Sequence, residues 1–152
     1  MVLYEGRKTR VRRAVQGWLA DDDDIAAMLG AGGAVVPAAR AASDDSSPQL
    51  AVGVALQSTN RSNTREVEVS AVRVLTSATY DWVDDQDDGG LDALEHLSDR
   101  VVDVLTVHRP GWADPEVTRD EEIVPDDTVG RFAGVTEFSA EHRGIHPTHT
   151  ES

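Results

Sequence analysis

The chain has 152 residues, a formal net charge of −14 and no cysteine, and 39% of its residues are hydrophobic. This length suits one domain with a single core, and the missing cysteines exclude disulfides, thiolate metal sites and a cysteine nucleophile. No apolar run approaches the roughly 20 residues that span a bilayer, and none follows the basic N-terminal residues as in a signal peptide. We therefore expect a soluble, intracellular protein.

Arginine has almost replaced lysine, because Lys8 is the single lysine among the 14 basic residues. In multi-molar salt the Debye length falls to about 3 Å, so repulsion among surface carboxylates is largely screened. Short, strongly hydrated carboxylates then keep the surface soluble. The composition is typical of a protein from a salt-in halophile or from one of its viruses.

The N-terminal segment is predicted to form a helix that carries a net positive charge, whereas the rest of the chain is acidic. Its apolar stripe consists of Val11, Ala14, Val15, Trp18 and Leu19. Residues 1–20 carry +4 and the remaining residues −18, which indicates that the helix contacts something acidic. We consider three candidates: nucleic acid, a neighbouring acidic subunit and the chain's own carboxylates. The predicted subunit or partner interface consists of Arg7, Lys8, Arg10, Arg12 and Arg13.

A short helix and a loose connection are predicted next. Asp24, the last residue of "DDDD", is a natural N-cap for a helix that Gly30 ends. The following Ala-, Gly- and Ser-rich segment indicates a linker with a short strand at residues 34–36.

The hydrophobic period then changes to two, which predicts two strands in an antiparallel hairpin. The first is "QLAVGVALQ" at residues 49–57, and "STNRSNT" is predicted to be the turn. The second is a long strand over residues 65–83. Val67 and Val69 share one face while Val72 and Val74 share the other, so we expect a bulge or bend near residues 70–71.

The acidic segment "DDQDDGGLDALE" at residues 84–95 resembles a calcium-binding EF-hand loop. Its weak candidate ligands are Asp84, Asp88, Asp92 and Glu95. Gln86 occupies a ligand position, the preceding segment is predicted to be a strand, and the pattern occurs once. A solvated acidic loop that helps to cap the next helix is therefore the favoured interpretation, and no metal site is predicted.

The segment "LDALEHLSDRVVDVLTV" is the clearest helix, followed by two strands at residues 115–127 and 128–144. These elements predict an α+β fold: an antiparallel sheet of about four strands, with the N-terminal helix and one long central helix packed on one face. Residues 1–144 form the predicted domain, and residues 145–152 a flexible polar tail.

No catalytic constellation is evident, and no cofactor is predicted. His142, His146 and His149 are spaced four and three apart, but Pro147 prevents a helix that would join them. No G-x-S-x-G motif is present, and "GAGGA" lacks the preceding strand of a phosphate-binding loop. Direct DNA binding by the arginine-rich helix remains open, although high salt weakens phosphate contacts.

The order of secondary-structure elements and several sequence segments resemble those of the tail-completion, or tail-terminator, proteins of long-tailed viruses. The similarity spans roughly residues 10–143. The sequence segments that show this similarity are "VQGWLADDDDIAAMLGAGGAVVPAA", "PQLAVGVALQSTN", "REVEVSAVRVLTSATYD", "LDALEHLSDRVVDVL" and "GRFAGVTEFSAEHRG". The acidic hairpin around residues 112–127 and the basic first helix depart from the family pattern.

The resemblance implies a structural virion protein without enzyme activity, and the composition described above indicates a halophilic archaeal virus. Its subunits would assemble in the host cytoplasm into a ring, usually a hexamer, that caps the tail tube at the head–tail junction. The implied partners are further copies of the chain, the tail tube protein and neck or connector proteins. Genomic DNA would pass through the channel without specific binding, and no membrane partner is implied.

Two alternatives stay open. One is another neck protein, a head-closure or connector subunit. The other is a nucleic-acid-binding module that uses the arginine-rich N-terminal helix.

Overall fold

The computed structural model describes residues 7–61, 65–86, 89–108 and 118–145. The helices are α1 (Arg7–Asp21), α2 (Asp23–Leu29), a 3-10 helix (Ala38–Ser43), α3 (Tyr80–Asp85) and α4 (Gly90–His108). The strands are β1 (Ala34–Pro37), β2 (Gln49–Arg61), β3 (Arg65–Thr79), β4 (Thr118–Asp126) and β5 (Arg131–Ile145). Ile145, predicted to begin the flexible tail, is instead the last residue of β5, and the rest of that segment lies outside the described residues.

The five strands form one sheet in the order β1-β2-β3-β5-β4. The α+β class is confirmed, but the prediction of about four antiparallel strands is corrected to five strands in a mixed sheet. The difference is β1, which pairs in parallel with residues 49–52 of β2. Parallel neighbours need a crossover connection, and the 3-10 helix lies within that connection.

The predicted second strand ends earlier than expected, at Thr79. The Thr79 side chain accepts a hydrogen bond from the Trp82 backbone N–H at 3.1 Å and so caps α3. Asp81 in the first turn favours the helix through the positive end of its dipole. Valine and tryptophan suggested a strand here, but the local cap determines the structure.

The predicted irregularity in the hairpin lies on the other strand. The register between β2 and β3 shifts between Leu56 and Ser58, so Gln57 is the extra residue. β3 keeps one register against β5 throughout. The valine pattern of β3 therefore changes face without a bulge in β3 itself.

One hydrophobic core lies between the sheet and the helices α1, α2 and α4. Val15 and Leu19 of α1 are fully buried, and Ala14 and Trp18 of the predicted stripe are half-buried. The Trp18 ring stacks on His108 of α4, with ring centroids 5.3 Å apart. The sheet contributes alternate residues of β2 and β3: Leu50, Val52, Val72 and Val74. Helix α4 contributes Leu94, Leu97, Val101, Val104 and Leu105.

Asp22 joins the α1–α2 corner to the middle of α4. It is the N-cap of α2, in place of the predicted Asp24, and accepts a hydrogen bond from the Ile25 backbone N–H at 3.0 Å. The Arg100 guanidinium donates to both Asp22 carboxylate oxygens, at 3.0 and 2.7 Å. The hydrogen bond from Arg100 is the main reason why the pKa of Asp22 lies below its usual 3.8. Such a bidentate pair between half-buried groups is screened less by salt than an exposed pair.

None of the helices among the described residues is both long and apolar enough to cross a membrane.

We predict that Asp22→Ala lowers the free energy of unfolding by about 1–3 kcal/mol, since it removes a helix cap and leaves Arg100 with only its 3.6 Å contact to Asp24. Because the folded-state pKa of Asp22 is depressed, its contribution is present above pH 3.8 and is lost as pH falls below that value. The difference from wild type should therefore shrink in acid. Denaturant titrations across pH measure this, with the exposed first-turn residue Asp23→Ala as control; equal losses in both variants would contradict the assignment.

We predict that Gly90→Ala destabilises the fold by roughly 1–3 kcal/mol through overpacking. A Cβ atom at Gly90 would lie 2.3 Å from the Val83 carbonyl oxygen, whereas one at Gly89 would have no atom within 4 Å. Gly89→Ala is thus the matched control and should change stability by only a few tenths of a kcal/mol. Thermal and denaturant unfolding would compare the two, and equal effects would rule out a close helix approach as the cause.

Candidate interaction surface

Core packing fixes which side of α1 carries its basic residues. Val11 and Val15 face the core, so Arg10 and Arg13 are exposed while Arg12 is half-buried. The Arg12 guanidinium donates to Gln16 Oε1 at 3.1 Å. Arg7 begins the helix; its side chain and that of Lys8 lie outside what the structure describes. The predicted interface residues are therefore divided between an exposed side of α1 and a side that meets the sheet.

Arg12 and Arg13 line an open groove between α1, the 3-10 helix and β2. Arg40, from the 3-10 helix, contributes a third guanidinium-bearing side chain to the same groove. Gln16 also lines it, and the remaining surface consists of the small or apolar residues Pro37, Ala38, Ala39, Val52, Gly53 and Val54. We call this surface the arginine groove. It combines concentrated positive charge with an apolar floor.

The arginine groove adjoins an unpaired strand edge. β1 pairs with β2 only along residues 49–52, although β2 continues to Arg61. Over the part of the chain that the structure describes, no strand pairs with the outer edge of residues 53–61. Backbone N–H and C=O groups on such an edge can accept another strand. Gly53 and Val54 belong to both features.

The sheet face opposite α1 and α4 is lined by small residues under the 3-10 helix. Ala38 and Ala41 line a cavity there together with Ala51, Ala71 and Val135. A Cβ atom at Gly53 would lie 3.2 Å from the Ala38 Cβ, so glycine permits the close approach. The cross-strand pair Arg73–Glu137, at 3.1 Å, borders this region. The close approach of Ala38 to Gly53 positions the 3-10 helix and therefore Arg40.

Acidic residues gather at the end of the sheet where β3 stops. The register places the start of β2, the end of β3 and the start of β5 side by side, since Gln49 pairs with Ser77 and Thr79 pairs with Arg131. The exposed acidic residues at this end are Asp45, Asp81, Asp84, Asp85, Asp126 and Asp127. Arg131 is a neighbouring cation, whose guanidinium donates to the Ser46 carbonyl oxygen at 2.8 Å.

The candidate calcium residues occupy two separate helices. Asp84 lies in α3, whereas Asp92 and Glu95 lie on α4, which already begins at Gly90. Asp88 is outside the described residues. Within the described ranges, no group of three or more carboxylate, histidine or cysteine side chains is arranged to hold a metal ion. Of His142, His146 and His149, only the backbone of His142 is described, within β5.

The chain matches no protein-family model, and no curated protein is significantly similar to it.

Arg40 is the member of the arginine groove that the sequence did not reveal. It lies in a segment interpreted as a loose linker, and its proximity to α1 depends on the parallel β1–β2 pairing. The available signal was that Arg40 is the single basic residue between Arg13 and Arg61.

We predict that Asp127→Asn lowers the pKa of Tyr80 toward its usual 10. The Tyr80 hydroxyl donates to the Asp127 carboxylate, and this bond is the main reason why the pKa of Tyr80 is raised to about 12. Loss of the charged acceptor makes the phenolate easier to form. Absorbance titration above pH 9 would follow it, with Tyr80→Phe identifying the signal; an unchanged titration in Asp127→Asn would contradict the contact.

Proposed function

We propose that this chain is a structural virion subunit, a tail terminator from a virus of a salt-in halophilic archaeon. Copies of it would form a ring that caps the tail tube and joins it to the neck at the head–tail junction. The supporting observation is the edge of β2 that no described strand pairs with, beside the arginine groove, on a chain that is otherwise strongly acidic. The resemblance to tail-terminator proteins suggests that this surface acts in assembly of the viral tail. The proposal includes no enzymatic step.

An unpaired edge of this kind suits assembly. A contact between two different surfaces of identical subunits repeats around an axis until the ring closes. The basic groove and the acidic remainder are two such different surfaces. The large negative charge would also line a channel with carboxylates and discourage DNA from adhering as it passes.

The charge distribution also fits function in concentrated salt. Exposed ion pairs are worth little there, because the Debye length is only a few ångströms. Contacts that persist must be desolvated, and arginine suits them because its planar guanidinium pairs with carboxylates in a bidentate manner. A groove with three arginines over an apolar floor would meet both requirements once a partner covers it.

Nucleic-acid binding is the second candidate, and the clustering of Arg12, Arg13 and Arg40 is the observation in its favour. Phosphate contacts would supply its affinity, which falls steeply as the salt concentration rises. High salt therefore separates the two candidates. A ring held by desolvated pairs should persist in it, whereas a complex held by phosphate contacts should dissociate.

We predict that the purified chain forms a closed oligomer near six subunits in concentrated KCl. Light scattering would give the mass, and negative-stain electron microscopy would reveal ring-shaped particles. Addition of purified tubes from the same virus should place rings at tube ends, whereas binding to connector complexes alone would favour a head-closure or connector subunit. A monomer or dimer in concentrated KCl that retards duplex DNA at low salt would contradict the terminator proposal and support the nucleic-acid module.

A further inference from the structure

We infer that the arginine groove and the outer edge of β2 residues 53–61 form the acceptor half of the ring contact, and that β4 of the next copy is the donor half. This inference rests on the proposed function, because it names the surfaces through which the ring would close. The ligand is thus an acidic, extended segment of a second copy of this chain.

β4 is the opposite edge strand of the same sheet. Each copy therefore carries one acceptor edge and one donor edge, as a repeating contact between different surfaces requires. β2, β3, β5 and β4 alternate in direction. In a ring whose axis follows the strands, β4 of one copy would meet β2 of the next in antiparallel orientation, which allows direct strand addition.

The charges of the two edges are complementary. The sequence of β4, "TRDEEIVPD", has four acidic residues and one arginine, whereas the groove carries Arg12, Arg13 and Arg40. The exposed Asp127 follows β4 directly. Arginine–carboxylate pairs of this kind fix register as well as orientation.

Apolar surface is complementary as well. Val124 of β4 is 54% exposed and adds apolar surface to the donor edge. The floor of the groove offers Pro37, Ala38 and Val54 beside it. Burial of such side chains would exclude water from the charged pairs and make them less sensitive to salt.

β4 also has features that restrict unwanted pairing. Its register against β5 shifts at two places, and Pro125 lacks a backbone N–H. These irregularities confine regular pairing with any neighbouring strand to the stretches between them, and repeated like charge keeps two β4 edges from adding to each other. Opposite the arginines the same carboxylates become attractive, so the edge is selective for the basic acceptor.

Charge reversal at each edge tests this contact. Arg40→Glu reverses an exposed groove residue, and Glu121→Arg with Glu122→Arg reverses the donor edge. Either variant alone should raise the concentration at half-dissociation of the oligomer by roughly tenfold or more. Arg10→Glu is the matched control, because Arg10 is exposed on α1 but does not line the groove. It should retain the wild-type mass by light scattering in concentrated KCl.

An equimolar mixture of the two dissociated variants should reassemble. Each wild-type edge then meets a wild-type edge, and the carboxylate introduced at residue 40 meets the guanidinium groups introduced at residues 121 and 122. Circular dichroism of each variant verifies that it is folded.

The outcomes separate the inference from the proposed function. Oligomers that withstand both reversals, or a mixture that fails to reassemble, would overturn the β2–β4 contact while leaving a ring-forming terminator intact. A wild-type chain that remains monomeric at high concentration in KCl would overturn both. Dissociation by the groove and donor reversals, retention in Arg10→Glu and rescue in the mixture together would establish the contact.

Discussion

Burial of one side of α1 against the sheet is the constraint on which the interaction surface depends. Val11, Val15 and Leu19 are in the core, and this fixes the rotation of the helix about its axis. Arg12 and Arg13 are consequently held at the junction with β2 rather than distributed over the surface. Arg100 and Asp22 hold the C-terminal end of α1 against α4, so the helix cannot turn without loss of a half-buried ion pair.

The short length of β1 has an equally direct consequence. Because β1 covers only the first part of β2, the rest of that strand keeps an outer edge along its length in the described residues. The 3-10 helix that follows β1 places Arg40 beside this edge. A longer β1 would have closed the edge, and a different connection would have removed the third arginine from the groove.

The sequence predicted the elements with strong periodicity and missed those that depend on tertiary pairing. The helix α4 and the strand β2 are confirmed. Burial of one face explains the spacing of α4, whereas at the start of β2 Ala51 is buried as well as Leu50 and Val52. The parallel β1–β2 pair was not predictable, since four residues carry too little pattern to indicate a partner or a direction. α3 was missed because its cap, Thr79, is at the end of a strong strand pattern. Two of the three arginines of the arginine groove, Arg12 and Arg13, were predicted from the sequence as interface residues. Arg40 was not, because only the fold brings it next to α1.

Amide hydrogen–deuterium exchange of the assembled and dissociated chain is the most direct test that copies join through the open edge of β2. Assembly by strand addition should slow exchange in residues 53–61, where the outward N–H groups gain partners, and leave the α4 core amides unchanged. Equal exchange of residues 53–61 in the two states, in a chain that is demonstrably assembled, would contradict this mode of association.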